Sequence, residues 1–283
     1  FQPVTPLWIV TPRLQAEEIL REIGTRSDDD IDLAEGALAL AALDRPGVAL
    51  DRYRDHIALL ADDVGDALSG KGVTLSDALN NVVLKSHGYC GDMLTYDDIQ
   101  NANLMRVIDR KKGLPVALGI LYLHAARAHG FAADGINFPG HFMIRIGEDG
   151  ARLIIDPFNE GIERSVVDLR ELLKATAGME AELAPEHYAA VGNRDILVRL
   201  QNNIKARHER AGRPEDALRV VEGMLMFAPD MIPLWREAGV IHARIGNLGA
   251  AIEAFQTIIE RADTDAARHD AAAIVQKLKS RLN

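Results

Sequence analysis

The chain has 283 residues, 48% apolar and 26% charged, which is enough to bury one large or two modest cores and excludes a disordered or collagen-like chain. Its 32 Lys plus Arg stand against 42 Asp plus Glu, and the net charge of -10 argues against a general phosphate-binding surface and so against nucleic acid as a partner. One cysteine rules out an internal disulfide and a multi-thiolate zinc site, while the longest apolar run, Leu114 to Leu123, is too short to span a bilayer.

The opening FQPVTPLWIV has neither the basic region nor the long apolar core of a signal peptide, so a cytoplasmic protein with no membrane partner is expected. From Arg13 to about Ser86 the apolar spacing is helical: RLQAEEILREIG, DLAEGALALAAL, DRYRDHIALLADDVGDAL and LSDALNNVVLK. Asp28 to Asp30 are expected to supply an N-cap and first-turn charge, and Pro46-Gly47 and Gly70-Lys71-Gly72 stop adjacent segments. Asp62-Asp63 reads as a solvated helix face.

Residues 87–100, HGYCGDMLTYDDIQ, read as a loop, followed by helix-like NANLMRVIDRKK and a break at Gly113-Leu114-Pro115. Val116 to His129 reads as a largely buried helix ended by Gly130, because Leu118, Leu121, Tyr122 and Ala125 recur at helical spacing. Two short strands follow, HFMIRI at 141–146 and ARLIIDP at 151–157, with Gly147-Glu148-Asp149-Gly150 as the hairpin connection.

Beyond them the pattern returns to paired helices: Asn193 to Arg210, Pro214 to Ala228, Ile232 to Ile245, Leu248 to Arg261 and Ala266 to Lys279. His208, Arg210, Gly212 and Ala217 recur as His242, Arg244, Gly246 and Ala251, a spacing of 34 residues that matches the tetratricopeptide period. Small residues at such positions let neighbouring helices approach. Gly239, Phe255 and Trp235 add to the likeness, and Trp235 with Arg244 marks the expected repeat surface for a peptide.

The spacing richest in chemistry is GLPVALG at 113–119, NFPGHF at 137–142 and IIDPFN at 154–159. His141 begins one strand and Asp156 ends the next, so a hairpin brings them together. A carboxylate on one imidazole nitrogen fixes the tautomer and raises basicity, leaving the other nitrogen to take a proton from a nucleophile.

NANLMRVIDRKKGLPVALG, GINFPGHFMIRI and LIIDPFNEG together resemble the SirB1-like family, in which a transglutaminase-like domain precedes tetratricopeptide repeats. The resemblance covers about residues 35–270. It implies an α+β, predominantly helical fold: a helical N-terminal segment plus a papain-like, transglutaminase-like domain with a short antiparallel sheet over 1–190, then a repeat module over 191–283. It also implies a cysteine at the start of a central helix, with histidine and aspartate on adjacent strands, positions that His141 and Asp156 match.

The cysteine position does not match. Counting back about fifteen residues from Gly130 lands on Pro115, with Val116 and Ala117 next to it, and none of these is a nucleophile. Pro115 fits a first helical turn, where its missing N–H costs nothing. Cys90 is the alternative thiol, Ser86 and Tyr89 being weaker candidates. Asn101, Asn103 and Arg110 are expected to support the loop before the central helix or to contact a ligand, and Asn137 and Phe138 to line the pocket. His87, His124, His129 and His141 lack metal-ligand spacing, so neither metal nor cofactor is expected. The leading expectation is a protein-interaction or regulatory pseudoenzyme with a protein or peptide partner; the rivals are a cysteine hydrolase or acyltransferase using Cys90, His141 and Asp156, and a structural assembly protein.

Overall fold

The computed structural model describes residues 11–148 and 150–282, so the opening FQPVTPLWIV and Asp149 of the hairpin connection lie outside the described residues. The chain divides into two compact units: Ser27–Leu200 with the preceding residues through Ile19, and Leu20–Arg26 with Gln201 onward. It is mostly helical, with one small antiparallel sheet. No helix among the described residues is long and apolar enough to cross a membrane.

The chain opens with α1 (Pro12–Thr25), which the division splits after Ile19; the first unit continues with a single 3-10 turn at Asp28–Asp30, α2 (Leu33–Leu43), α3 (Asp51–Leu68) and α4 (Leu75–Leu79). Asp32 rather than the Asp28 run caps α2, accepting from the Glu35 N–H. Asp28 instead accepts from the backbone N–H groups of Asn193 and Arg194, at 2.7 and 2.9 Å, and so caps a helix distant in sequence. The helix read at LSDALNNVVLK changes character at Asn80, where a π-helical stretch, Asn80–Ser86, takes over.

The segment 87–100 is more ordered than the loop expected of it. Strand β1 (Cys90–Gly91) pairs in parallel with β2 (Lys112–Gly113), and α5 (Leu104–Arg110) lies between them in sequence. The central helix α6 (Pro115–Ala128) starts with proline at its first turn and is apolar nearly all round, from buried Pro115 through Leu123. A helix with no polar face has to be enclosed, and α6 contacts α2, α3 and the sheet.

The sheet holds five antiparallel strands where two were read from the sequence. They are β3 (Ala133–Ile136), β4 (Met143–Glu148), β5 (Ala151–Asp156), β6 (Ile162–Glu163) and β7 (Ala190–Val191), in the order β6-β5-β4-β3-β7. The three extra strands are four residues or fewer, too short to carry a period-2 signal. Ile144 pairs with Ile155 and Glu148 with Ala151, so the β4–β5 hairpin register is fixed. Helix α7 (Val166–Ala177), capped by Ser165, sends Leu169 and Leu173 into a cluster with Ile136, Phe138 and Met143.

The second unit contains the helical pairs of the repeat module: α8 (Asn193–Arg210), within which the division falls, α9 (Pro214–Phe227), α10 (Ile232–Arg244), α11 (Leu248–Arg261) and α12 (Asp265–Leu282). The 34-residue recurrence has a structural counterpart. Gly212 and Gly246 both take positive φ, 66° and 87°, in equivalent turns, and Ala217 and Ala251 are both fully buried. A Cβ on Gly239 would lie 2.7 Å from the Phe255 ring, so glycine sets the approach of α10 to α11.

Candidate active site with a buried histidine–aspartate pair

The site is built on a turn. Phe138-Pro139-Gly140-His141 closes with the His141 N–H donating to the Phe138 carbonyl at 3.0 Å, and Gly140 takes φ 72°. Pro at the second position and a positive-φ glycine at the third are what a type II turn requires. The next residue, Phe142, is fully buried and locks the turn onto the fold. Cβ atoms placed on Gly119 of α6 and Gly135 of β3 would come within 2.5 and 2.8 Å of its ring, so two glycines make the slot that holds it.

This anchoring leaves His141 half-buried, with Nε2 2.9 Å from Oδ1 of Asp156 at the end of β5. Asp156 is fully buried and accepts further bonds from Asn159 Nδ2 at 2.8 Å and from Arg164 Nη2 and Nε at 2.7 and 3.1 Å. Burial raises the Asp156 pKa, but the hydrogen bond and charge of His141, with the bonds from Asn159 and Arg164, outweigh it and bring the value down to about 2. The aspartate therefore stays ionised and commits Nε2 of His141 to itself, leaving Nδ1 for another partner.

The loop after Asp156 is clamped as well. Gly161, at φ 65°, donates its N–H to the Asp156 carbonyl, and its own carbonyl accepts from Asn80 Nδ2 at 2.9 Å. Asn80 Oδ1 in turn accepts from the Tyr122 hydroxyl of α6. Thus the start of the π-helical stretch, a feature often found beside functional sites, ties the central helix to the aspartate loop. Sequence reasoning missed Asn159, Arg164, Asn80 and Tyr122. An Asn three residues after an Asp in a Pro-containing turn was a readable signal for Asn159; nothing local marked the others.

Where the resemblance expects a cysteine, α6 begins with Pro115, Val116 and Ala117, all buried. Cys90 is exposed on β1, its N–H donating to the Lys111 carbonyl, and among the described residues no hydrogen bond joins it to His141. It borders a cleft of about 510 Å³ with Leu84, Met93, Leu94, Lys112 and Phe158. Phe158 touches both sides of this region: its ring packs edge-on to His141 at 6.1 Å between centroids, and it would meet a Cβ on Gly91 at 2.7 Å.

The remaining sequence candidates fall into separate settings. Asn101, fully buried, donates to the Thr95 carbonyl and accepts from Arg110, which also pairs with Asp92 at 3.0 Å. Hydrogen bonds from Thr95 first, and then from Asn101 and Arg110, overcome burial and lower the Asp92 pKa to about 2. Asn103 caps α5 through the Arg106 N–H and donates to the Ala41 carbonyl. Phe138 is core and Asn137 is exposed. In the second unit, Trp235 packs against the α11–α12 cluster and donates its indole N–H to the Pro229 carbonyl at 2.7 Å, while Arg244 is exposed at the end of α10.

Comparison with known proteins agrees with this architecture. Residues 51–202 match the transglutaminase-like superfamily, and residues 204–282 match the tetratricopeptide repeat. The chain is 32% identical over 242 residues to a UPF0162 protein of Vibrio cholerae, covering 84% of this chain and 89% of the relative. It is 27% identical over 261 residues to a UPF0162 protein of Xylella fastidiosa, covering 89% and 87%. A shorter match, 29% over 146 residues, reaches human F-box only protein 21 and covers 48% of this chain and 22% of that one. The chain therefore belongs to the SirB1-like UPF0162 family, in which a transglutaminase-like domain is followed by tetratricopeptide repeats.

Proposed function

We propose that this protein is a non-catalytic interaction or regulatory protein whose transglutaminase-like domain retains its histidine–aspartate pair and has lost its nucleophile. The observation that carries the reading is the mismatch between the two halves of the site. His141 is oriented by a fully bonded Asp156, yet the first turn of α6 offers only the hydrocarbon of Pro115, Val116 and Ala117. A base activates only a group that carries an acidic X–H, and a hydrocarbon cannot attack a carbonyl. Tetratricopeptide repeats generally mediate protein–protein contact, which makes a protein or peptide the partner, with the exposed Arg244 part of its docking surface.

The test is peptide-library binding by the full chain beside ammonia release from glutamine peptides. Binding weakened by Arg244→Glu and indifferent to Cys90→Ala, with ammonia release no higher than that of His141→Ala, is the expected result. Amide turnover that disappears in Cys90→Ala overturns the reading.

That second outcome would install a thiol hydrolase or acyltransferase, a reading favoured by one feature: Cys90 is exposed at a cleft whose Phe158 also packs on His141. In that mechanism the imidazole takes the thiol proton, the thiolate attacks the amide carbonyl, and the amine leaves with the returned proton.

A further inference from the structure

Tyr89, which lines the cleft, belongs to a cluster of titratable groups that the histidine–aspartate pair does not use. Lys111 Nζ sits 2.9 Å from His56 Nε2 and 3.2 Å from the Tyr89 hydroxyl, and those two are themselves 2.7 Å apart. The three heteroatoms close a triangle of hydrogen bonds. The ammonium also stands 4.3 Å from the Tyr89 ring centroid. Among the described residues no carboxylate lies within ion-pair distance of Lys111. Asp109, whose charge acts on it, is held by Arg45 and Arg52. His87 packs edge-on to His56 at 5.4 Å and is paired with Asp63, whose charge acts on His56 more weakly than burial and Lys111 do; among the described residues no carboxylate is hydrogen-bonded to His56.

The backbone singles out the same residue. Lys111 follows α5 with φ 58°, the left-handed position at which glycine is usual because a side chain is strained there. The lysine keeps its side chain at that position and directs it into a half-buried ring of neutral partners. Burial lowers its pKa against the weaker opposing pull of Asp109, and burial together with the Lys111 charge lowers that of His56 to about 4. His56 is therefore a neutral imidazole at physiological pH, and the lowered Lys111 pKa makes its ammonium a readier proton donor than that of an exposed lysine.

We propose that Lys111 is an amine nucleophile that forms an imine with a small aldehyde or ketone, with His56 as its proton carrier and Tyr89 holding the pair in place. The amine lone pair forms the C–N bond while the C=O π pair moves to oxygen. His56 takes a proton from nitrogen and delivers it to the oxygen, giving a carbinolamine. A second proton transfer releases that oxygen as water and leaves C=N on Lys111, with no oxidant or reductant required.

Limiting isotopically labelled formaldehyde with cyanoborohydride at pH 7 traps the imine as a methylated lysine, which peptide mass spectrometry assigns. The expected result is faster labelling of half-buried Lys111 than of exposed Lys112 beside it, the opposite of their order by accessibility. In His56→Gln the Lys111 advantage should disappear while the Lys112 rate stays the same. Lys111 labelling at or below the Lys112 rate in the wild-type protein overturns the proposal whether or not the variant folds. An advantage that persists in folded His56→Gln also overturns it.

Discussion

His141 and His56 belong to the same unit, yet one imidazole faces a buried carboxylate and the other faces an amine. Asp156, with Asn159 and Arg164 behind it, makes the first a fixed and well-oriented base. The second has no acidic neighbour in contact, and its charged form is disfavoured by burial and by Lys111. On the two proposals above, orientation lies with His141 and nucleophilicity with Lys111, whereas a working thiol enzyme joins them in one site. A conserved-looking acid–base pair is thus weak grounds for assigning catalysis until the group that would lose the proton has been located.

The largest expected effect comes from breaking the first setting. Asp156→Ala leaves the half-buried Arg164 without its carboxylate and His141 without its acceptor. Removing one partner of a buried ion pair typically costs about 3–5 kcal/mol, readable by urea denaturation. Asp156→Asn keeps the shape and should cost less. Because the folded pKa of Asp156 lies at about 2, below its ordinary 3.8, its stabilisation is complete above about pH 4 and is lost as pH falls towards 2. Asp92 shares this window, so Asp156→Asn should lose part of the acid slope; a curve that keeps the full wild-type slope would falsify the contribution assigned to Asp156.

The next effect tests how His141 is positioned. Gly119→Ala places a methyl 2.5 Å from the Phe142 ring, and overpacking of this kind costs about 1–3 kcal/mol. Gly249→Ala in α11 is the matched control, because nothing lies within 4 Å of its Cβ site. That substitution, in the first turn of α11, should stabilise by up to about 0.5 kcal/mol, less than replacing a glycine in the middle of a helix. Thermal melts of the two variants moving in opposite directions support the slot; both moving downward would contradict it.

The pattern of legibility follows from the range of the forces involved. Helices α9, α10 and α11 and the 34-residue recurrence were readable to within a residue, since apolar spacing and Gly turns are local properties. The FPGH turn and the meeting of His141 with Asp156 were readable for the same reason, a hairpin being a short-range structure. Strands β3, β6 and β7 were not, because their identity comes from pairing with β4 and β5 rather than from their own residues. The Asp28 cap of α8 depends on a contact across 165 residues and left no local trace. The His56–Tyr89–Lys111 triangle likewise joins three segments, none of which reads as a motif.

A pH-dependent effect separates the two histidines most sharply. His56 has a folded pKa of about 4 against 6.5 in the open chain, so the unfolded state binds the extra proton first as pH falls. Its contribution is whole above about pH 6.5 and declines as pH drops through the folded value of about 4, a window that lies above that of Asp156. Denaturation midpoints measured from pH 7 to 4.5 should fall in the wild-type protein. His124, whose pKa burial also lowers, shares that window, so His56→Gln should reduce the decline without abolishing it, while Asp156→Asn should leave it in place. If Asp156→Asn flattened the upper window instead, the protons taken up there would belong to the His141 setting, and the contrast drawn between the two imidazoles would be wrong.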